Sequence, residues 1–170
     1  MTDAAIPQRS AWQQVLALVG FLLLSLMVEG LVSQVAQPGI AGGWYQSLAK
    51  PGWAPPDAWF PYVWTALYVL MGLASFLAWR AAPRGAFGWP FACFLVQLAI
   101  NAGWPFLFFG AGQLVAALLV IVGLLLAIVA TVLAFRPLSG WAALLLLPYL
   151  AWTGYATAVT YAILRLNLGA

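Results

Sequence analysis

Residues 113–135 read QLVAALLVIVGLLLAIVATVLAF, 23 positions without one charged side chain. At ~1.5 Å per residue, a helix of that length crosses the ~30 Å hydrocarbon core of a bilayer. A soluble protein would have to cover every side of such a helix. The rest of the chain has nothing polar to do it with. Of its 170 residues, 66% are hydrophobic and 5% charged, where soluble domains carry roughly 25% charged. The mean hydropathy is +1.02. Lipid as the solvent removes the conflict, and a helix satisfies its own backbone there.

Four further segments share this character, near 12–33, 58–79, 89–109 and 140–164. Turn residues separate them: Pro83, Arg84 and Gly85; Gly110 and Gly112; Pro137 and Gly140. The fold class expected is all-α, an integral membrane bundle of five transmembrane helices forming one domain over residues 1–170. The run from Ala11 to Val28 is longer than a signal-peptide core and no clean cleavage site follows it, so it reads as a retained first helix. From Gln34 to Asp57 the chain is rich in Gly and Pro yet carries Trp44, Tyr45 and Trp53. That composition predicts a long ordered loop, with a short helix around Trp44–Leu48 and then an extended Pro-rich turn.

Several chemistries are excluded at once. Cys93 is the only cysteine and there is no histidine, so no intrachain disulfide, thiolate cluster or histidine base can form. The acids Asp3, Glu29 and Asp57 are too far apart in sequence for a carboxylate motif. Six scattered basic residues give no nucleic-acid footprint. With five crossings, Arg9, Arg80, Arg84 and Arg136 fall on one face and Lys50 and Arg165 on the other. The positive-inside rule then puts the N-terminus in the cytoplasm and the long loop outside. A bacterial cell membrane is the expected location, with the outer membrane as the alternative.

Polar residues inside a bilayer are expensive and point to function. Here they are Glu29, Thr65, Gln97, Asn101 and Thr160, together with Trp64, Trp104 and Trp152. Segment order places most of them in the half of the bundle beneath the loop, the geometry of a pocket with a lid. Gln97, Asn101 and Trp104 share one face of the third helix; Trp64 and Tyr68 share one of the second; Tyr149, Trp152, Ala156 and Val159 stripe the fifth. Structural readings compete with this one. Trp12, Trp79, Trp89 and Trp141 suit the interfacial belt, the amides can be interhelical glue, and Glu29 lies near a helix end. Pro105 and Pro148 predict kinks, and Cys93 reads as packing.

These residues resemble the translocator protein/tryptophan-rich sensory protein family, also called the peripheral benzodiazepine receptors. The first matching block runs Trp44-Tyr45-x-x-Leu48-x-Lys50-Pro51-x-Trp53-x-Pro55-Pro56 and continues through Trp59, Phe60, Pro61, Trp64, Thr65 and Tyr68 to Gly72. The second is Gln97-Leu98-x-x-Asn101-x-x-Trp104-Pro105-x-x-Phe108-Phe109-Gly110, and the third Pro148-Tyr149-Leu150-Ala151-Trp152. The resemblance covers about residues 44–167. It implies a five-helix bundle, usually a homodimer, that binds porphyrins, sterols in some members, and benzodiazepine-like ligands. By position it implies that Trp64, Asn101, Trp104 and Trp152 are pocket residues and that Tyr45 and Pro55 belong to the lid; Tyr68 and Ala156 join the ligand-binding set. Where the family often has Leu-Asn near the end of the fifth helix, this chain has Val159-Thr160. Val159, Tyr161 and Arg165 still fit a loose sterol pattern of weak specificity.

The expected function is a membrane sensor or regulator whose ligand is a porphyrin or another flat hydrophobic molecule, with lipid as the surroundings and no resident cofactor or metal. The alternative is a light- and oxygen-dependent porphyrin-degrading enzyme, in which Trp64 and Trp152 would be the catalytic residues that the resemblance implies. A tetrapyrrole or sterol transporter ranks third, because the chain has no internal repeat or intramembrane charge pair. Ala99 and Gly103 form a small-x-x-x-small pair through which a homodimer could pack.

Overall fold

The structure, a computed structural model, describes residues 9–83 and 88–168. Among these residues it is all-helical, with five helical spans long and apolar enough to cross a membrane. Helix α1 runs Ala11–Ala41, α2 Gly43–Ser47, α3 Trp59–Ala81, α4 Trp89–Pro105, α5 Leu114–Phe135, α6 Gly140–Leu145 and α7 Leu147–Asn167. A π-helical turn, Phe106–Gly110, follows α4.

Helix α1 starts on a capping box: Ser10 Oγ accepts from Gln13 N at 3.2 Å, and Gln13 Oε1 accepts from Ser10 N at 3.0 Å. It then continues past the expected end near residue 33 to Ala41. Pro38 and Gly39 read as breakers, but at a helix end Pro38 forfeits only one backbone bond. Gly39 is required for a close approach instead, since a Cβ there would lie 2.5 Å from Phe109 Cβ. At 31 residues, α1 is roughly 46 Å long, longer than the ~30 Å hydrocarbon core, and the first third of the expected loop is helix. Deeper in the bundle α1 crosses α3 at Gly72, where a Cβ would meet Leu22 Cα at 3.0 Å.

Two prolines shape the remaining spans. Pro105 has no N–H to return to the carbonyl four residues earlier. The helix widens after it, and Ala111 N donates to Phe106 O at 2.8 Å, the i to i+5 spacing of a π-turn. In the fifth span the expected kink at Pro148 is a break at Leu146 that divides α6 from α7, with Pro148 in the first turn of α7. Ser139 caps α6 by accepting from Ala142 N at 3.3 Å.

The two ends of the bundle are distinct. At one, Arg9 donates to the carbonyls of Trp79, Arg80 (2.9 Å) and Pro83 (3.4 Å) and lies 4.1 Å over the Trp79 ring. At the other, Asn167 accepts from Ala49 N at 3.1 Å and donates to Ala49 O at 2.9 Å, tying α7 to the loop after α2. Arg9 and Arg80 therefore share one end, and Lys50 and Arg165 lie toward the other. Arg84, counted with the first group, and Asp3 fall outside the described residues.

Candidate functional site

The half of the bundle beneath α2 is assembled around one polar chain. Tyr68 on α3 donates its hydroxyl to Asn101 Oδ1 on α4. Asn101 Nδ2 donates to the Tyr149 hydroxyl of α7 at 2.8 Å, and that hydroxyl donates to Gln97 Oε1 at 3.0 Å. All four side chains are buried. The face shared by Gln97, Asn101 and Trp104 thus has two uses. Its amides lock α3, α4 and α7 together, and its indole borders open space.

That space is divided. The first cavity, about 60 Å³, is bordered by Trp64 and Tyr68 of α3, Asn101 and Trp104 of α4, and Glu29, Val32, Ser33 and Ala36 of α1. The second, about 20 Å³, is bordered by Tyr45 of α2, Pro55 of the following loop, Trp104 of α4, and Trp152, Tyr155, Ala156, Val159 and Thr160 of α7. Phe60, Trp104 and Phe109 border both, so they form the partition between them. Phe60 and Phe109 meet edge to face at 6.3 Å, and Trp104 meets Phe109 the same way at 5.7 Å. Pockets that hold a drug-sized ligand measure roughly 300–1,000 Å³. Neither cavity, as it stands, is large enough to admit such a ligand.

The sequence-derived candidates thus fall into two groups. Trp64, Tyr68 and Asn101 border the first cavity; Tyr45, Pro55, Trp152 and Ala156 border the second; Trp104 borders both. Sequence reasoning did not single out Phe60, Phe109 or the outer turns of α1. Phe60 precedes Trp64 by four residues, one helical turn, a spacing that carried the signal. Ala36, Gln37 and Ile40 of the α1 wall lie beyond the expected helix end at residue 33, whereas Glu29 on the same wall is one of the polar candidates. Val159 points into the bundle whereas Tyr161 is exposed and accepts from Arg165 Nη1 at 3.3 Å, so the loose sterol pattern is split across two faces.

The hydrogen-bonding capacity left over at the site is informative. The indole N–H groups of Trp104 and Trp152 are buried and have no partner. Each such donor costs about 1–3 kcal/mol, recoverable by an acceptor on a ligand. Glu29 accepts from the Thr65 hydroxyl at the rim of the first cavity. Among the described residues no group of His, Cys, Asp or Glu could hold a metal.

A lid covers the second cavity. Tyr155 donates to Trp53 O at 2.7 Å, and the two rings lie 6.0 Å apart. Gln46 Nε2 donates to Asp57 Oδ2 at 2.9 Å, which closes the loop onto α2. Tyr45 is fully buried beneath it, edge-on to Phe109 at 5.3 Å, with Lys50 Nζ 4.5 Å from its ring centre. Burial, then the charge and hydrogen bond of Asp57, push the Tyr45 hydroxyl pKa up to about 12.

Comparisons with known proteins converge on one group. The family model described as TspO/MBR family matches residues 17–166. Tryptophan-rich protein TspO of Chlorobaculum tepidum is 40% identical over 159 residues, covering 91% of this chain and 98% of that protein. The tryptophan-rich sensory protein of Cereibacter sphaeroides is 42% identical over 124 residues, 73% of this chain and 77% of that one. Human translocator protein is 40% identical over 130 residues, 74% and 76% respectively.

Proposed function

The chain belongs to the TspO/MBR family of multi-pass membrane sensory and translocator proteins, and from that premise we propose that it binds a porphyrin or similarly flat hydrophobic ligand as a membrane sensor or regulator. One observation carries the reading. Trp64, Trp104 and Trp152, from three helices, border two adjoining cavities parted only by aromatic side chains, and two of those indoles have unused N–H donors. Displacing the Phe60–Phe109 partition would merge the cavities into a slot walled by aromatic faces, suited to a stacked macrocycle. The indole N–H groups would then meet its polar substituents. Benzodiazepine-like and sterol-like molecules fit the same description less specifically.

Because the lid rests on Tyr155, ligand entry that moves α7 would also move the loop, which gives a sensor its output. A homodimer through the exposed Ala99 side of α4, where a Cβ on Gly103 would meet nothing within 4 Å, belongs to the same proposal. So does an orientation with the lid outside the cell membrane.

The test is titration of the protein in nanodiscs with protoporphyrin IX, read as quenching of intrinsic fluorescence. A saturable phase absent from protein-free discs is expected. Quenching that rises without saturation, as simple partition into lipid would give, overturns the reading.

A second reading, light- and oxygen-dependent porphyrin breakdown, is favoured by a separate observation. Trp152, Tyr155 and Trp53 follow one another at 5.5 and 6.0 Å from the cavity to the exposed lid, a path of oxidisable rings. Products formed in light and not in dark, and reduced in Trp152→Phe, would support it. Products identical to those of illuminated free porphyrin would sink it.

A further inference from the structure

Glu29 is a carboxyl on a membrane helix, and its hydrogen-bond partner, Thr65, is neutral. Thr65 is six residues into α3 from the exposed Trp59, so the pair lies ~9 Å along the helix from that aromatic ring. Arg9 and Arg80 lie at the far end of the bundle, and Lys50 hydrogen-bonds to Gln46 O in the loop at 3.5 Å. An intramembrane carboxyl beside a cavity is costly, and that cost marks Glu29 as a functional residue.

The position of Glu29 suggests what that function is. It borders the first cavity together with Trp64 and Tyr68, while Pro61 on the same rim is exposed, as is Thr65, to which Glu29 is hydrogen-bonded. The cavity therefore reaches the outer surface of the bundle between α1 and α3, and Glu29 stands at that mouth. A carboxylate flanked by aromatic rings is suited to a cation or a strong N–H donor, through charge-assisted hydrogen bonding and cation–π attraction. The same group disfavours a second carboxylate placed beside it.

We propose that Glu29 is the specificity-determining residue of this cavity, selecting flat aromatic amphiphiles that present a protonated amine at the α1–α3 mouth over those that present a carboxylate. This rests on the reading of the site as a ligand pocket. The amine would lie against Glu29 at the outer boundary of the hydrocarbon layer, with the aromatic body inserted toward Trp64 and Trp104.

The experiment compares two macrocycles of the same core: protoporphyrin IX, with two carboxylates, and its bis-amide with ethylenediamine, with two ammonium groups. Both are titrated into wild type and Glu29→Gln in nanodiscs of zwitterionic lipid, with Soret absorbance as the readout. Glu29→Gln keeps an acceptor for Thr65, and its circular dichroism and thermal unfolding confirm the fold. The diamine is expected to bind Glu29→Gln at least tenfold more weakly than wild type, and protoporphyrin IX to bind the variant at least as tightly. If both macrocycles saturate wild type and the substitution changes the diamine affinity less than threefold, the inference is overturned while the pocket stands. If neither saturates wild type, both are overturned.

Discussion

Replacing Asn101 with alanine separates the two uses of the third span. Asn101 accepts from Tyr68 and donates to Tyr149 at 2.8 Å, so both halves of its amide are engaged within the protein. Interhelical hydrogen bonds in membrane proteins average about 0.6 kcal/mol each, which puts the loss of two at about 1.2 kcal/mol. Tyr149 keeps Gln97 as an acceptor, but the Tyr68 hydroxyl, in a residue only 1% exposed, is left alone. Stranding it adds about 1–3 kcal/mol, for a total of about 2–4 kcal/mol. Reversible unfolding in mixed micelles, followed by circular dichroism, measures this directly. Tyr68→Phe removes the stranded hydroxyl, so the double variant is expected to be less destabilised than the sum of the single ones by about 1 kcal/mol or more. Ligand affinity should fall only slightly, because the amide has little left to offer. Unchanged stability with a more than tenfold loss of porphyrin affinity would refute the assignment of Asn101 as a structural tie.

Phe109→Ala removes part of the partition between the cavities; it should cost about 3–5 kcal/mol in stability while speeding porphyrin association in stopped-flow mixing. Gly39→Ala places a Cβ 2.5 Å from Phe109 Cβ and should destabilise by about 1–3 kcal/mol, whereas Gly103→Ala, with open space around it, should be neutral in the same melt. The raised pKa of Tyr45, about 12 against an ordinary 10.0, means that its neutral hydroxyl stabilises the fold fully below pH 10 and that this contribution is lost as pH rises through about 12. Melting temperatures between pH 9 and 12 should therefore fall more steeply in wild type than in Tyr45→Phe. Ala99→Leu with Gly103→Leu should convert a detergent-solubilised dimer to monomer on a sizing column, and an intact dimer would exclude that face.

The parts of this protein most legible in its sequence are those governed by solvent. Five apolar stretches of membrane length, four of them without a charge, specify five crossings whatever their neighbours do, and the stretch ending at Phe135 needs no further context. Boundaries were less legible where local propensity and tertiary contact disagree. Pro38 and Gly39 have the composition of a loop, yet Gly39 is the residue that allows α1 to reach Phe109. The sequence predicts a kink at Pro148, but the separate cap at Ser139 and the full break at Leu146 depend on packing. Helical spacing placed Trp64, Tyr68, Asn101 and Trp104 on facing sides of their helices, and they do border one cavity. Spacing could not show that Trp152 and Tyr45 lie beyond an aromatic partition, because the four-residue step from Phe60 to Trp64 marks a shared face and not a wall, and Phe109 is indistinguishable in sequence from an ordinary core residue.

The central claim is that the tryptophans of these adjoining cavities hold a macrocycle. It is tested most directly by measuring protoporphyrin IX affinity from the Soret band in wild type and in Trp64→Phe with Trp152→Phe, in nanodiscs. Aromatic pairs contribute about 0.5–1.5 kcal/mol each beyond buried area. The double variant is therefore expected to bind at least fivefold more weakly with its fold intact, and affinity equal to wild type in a properly folded double variant would contradict the account.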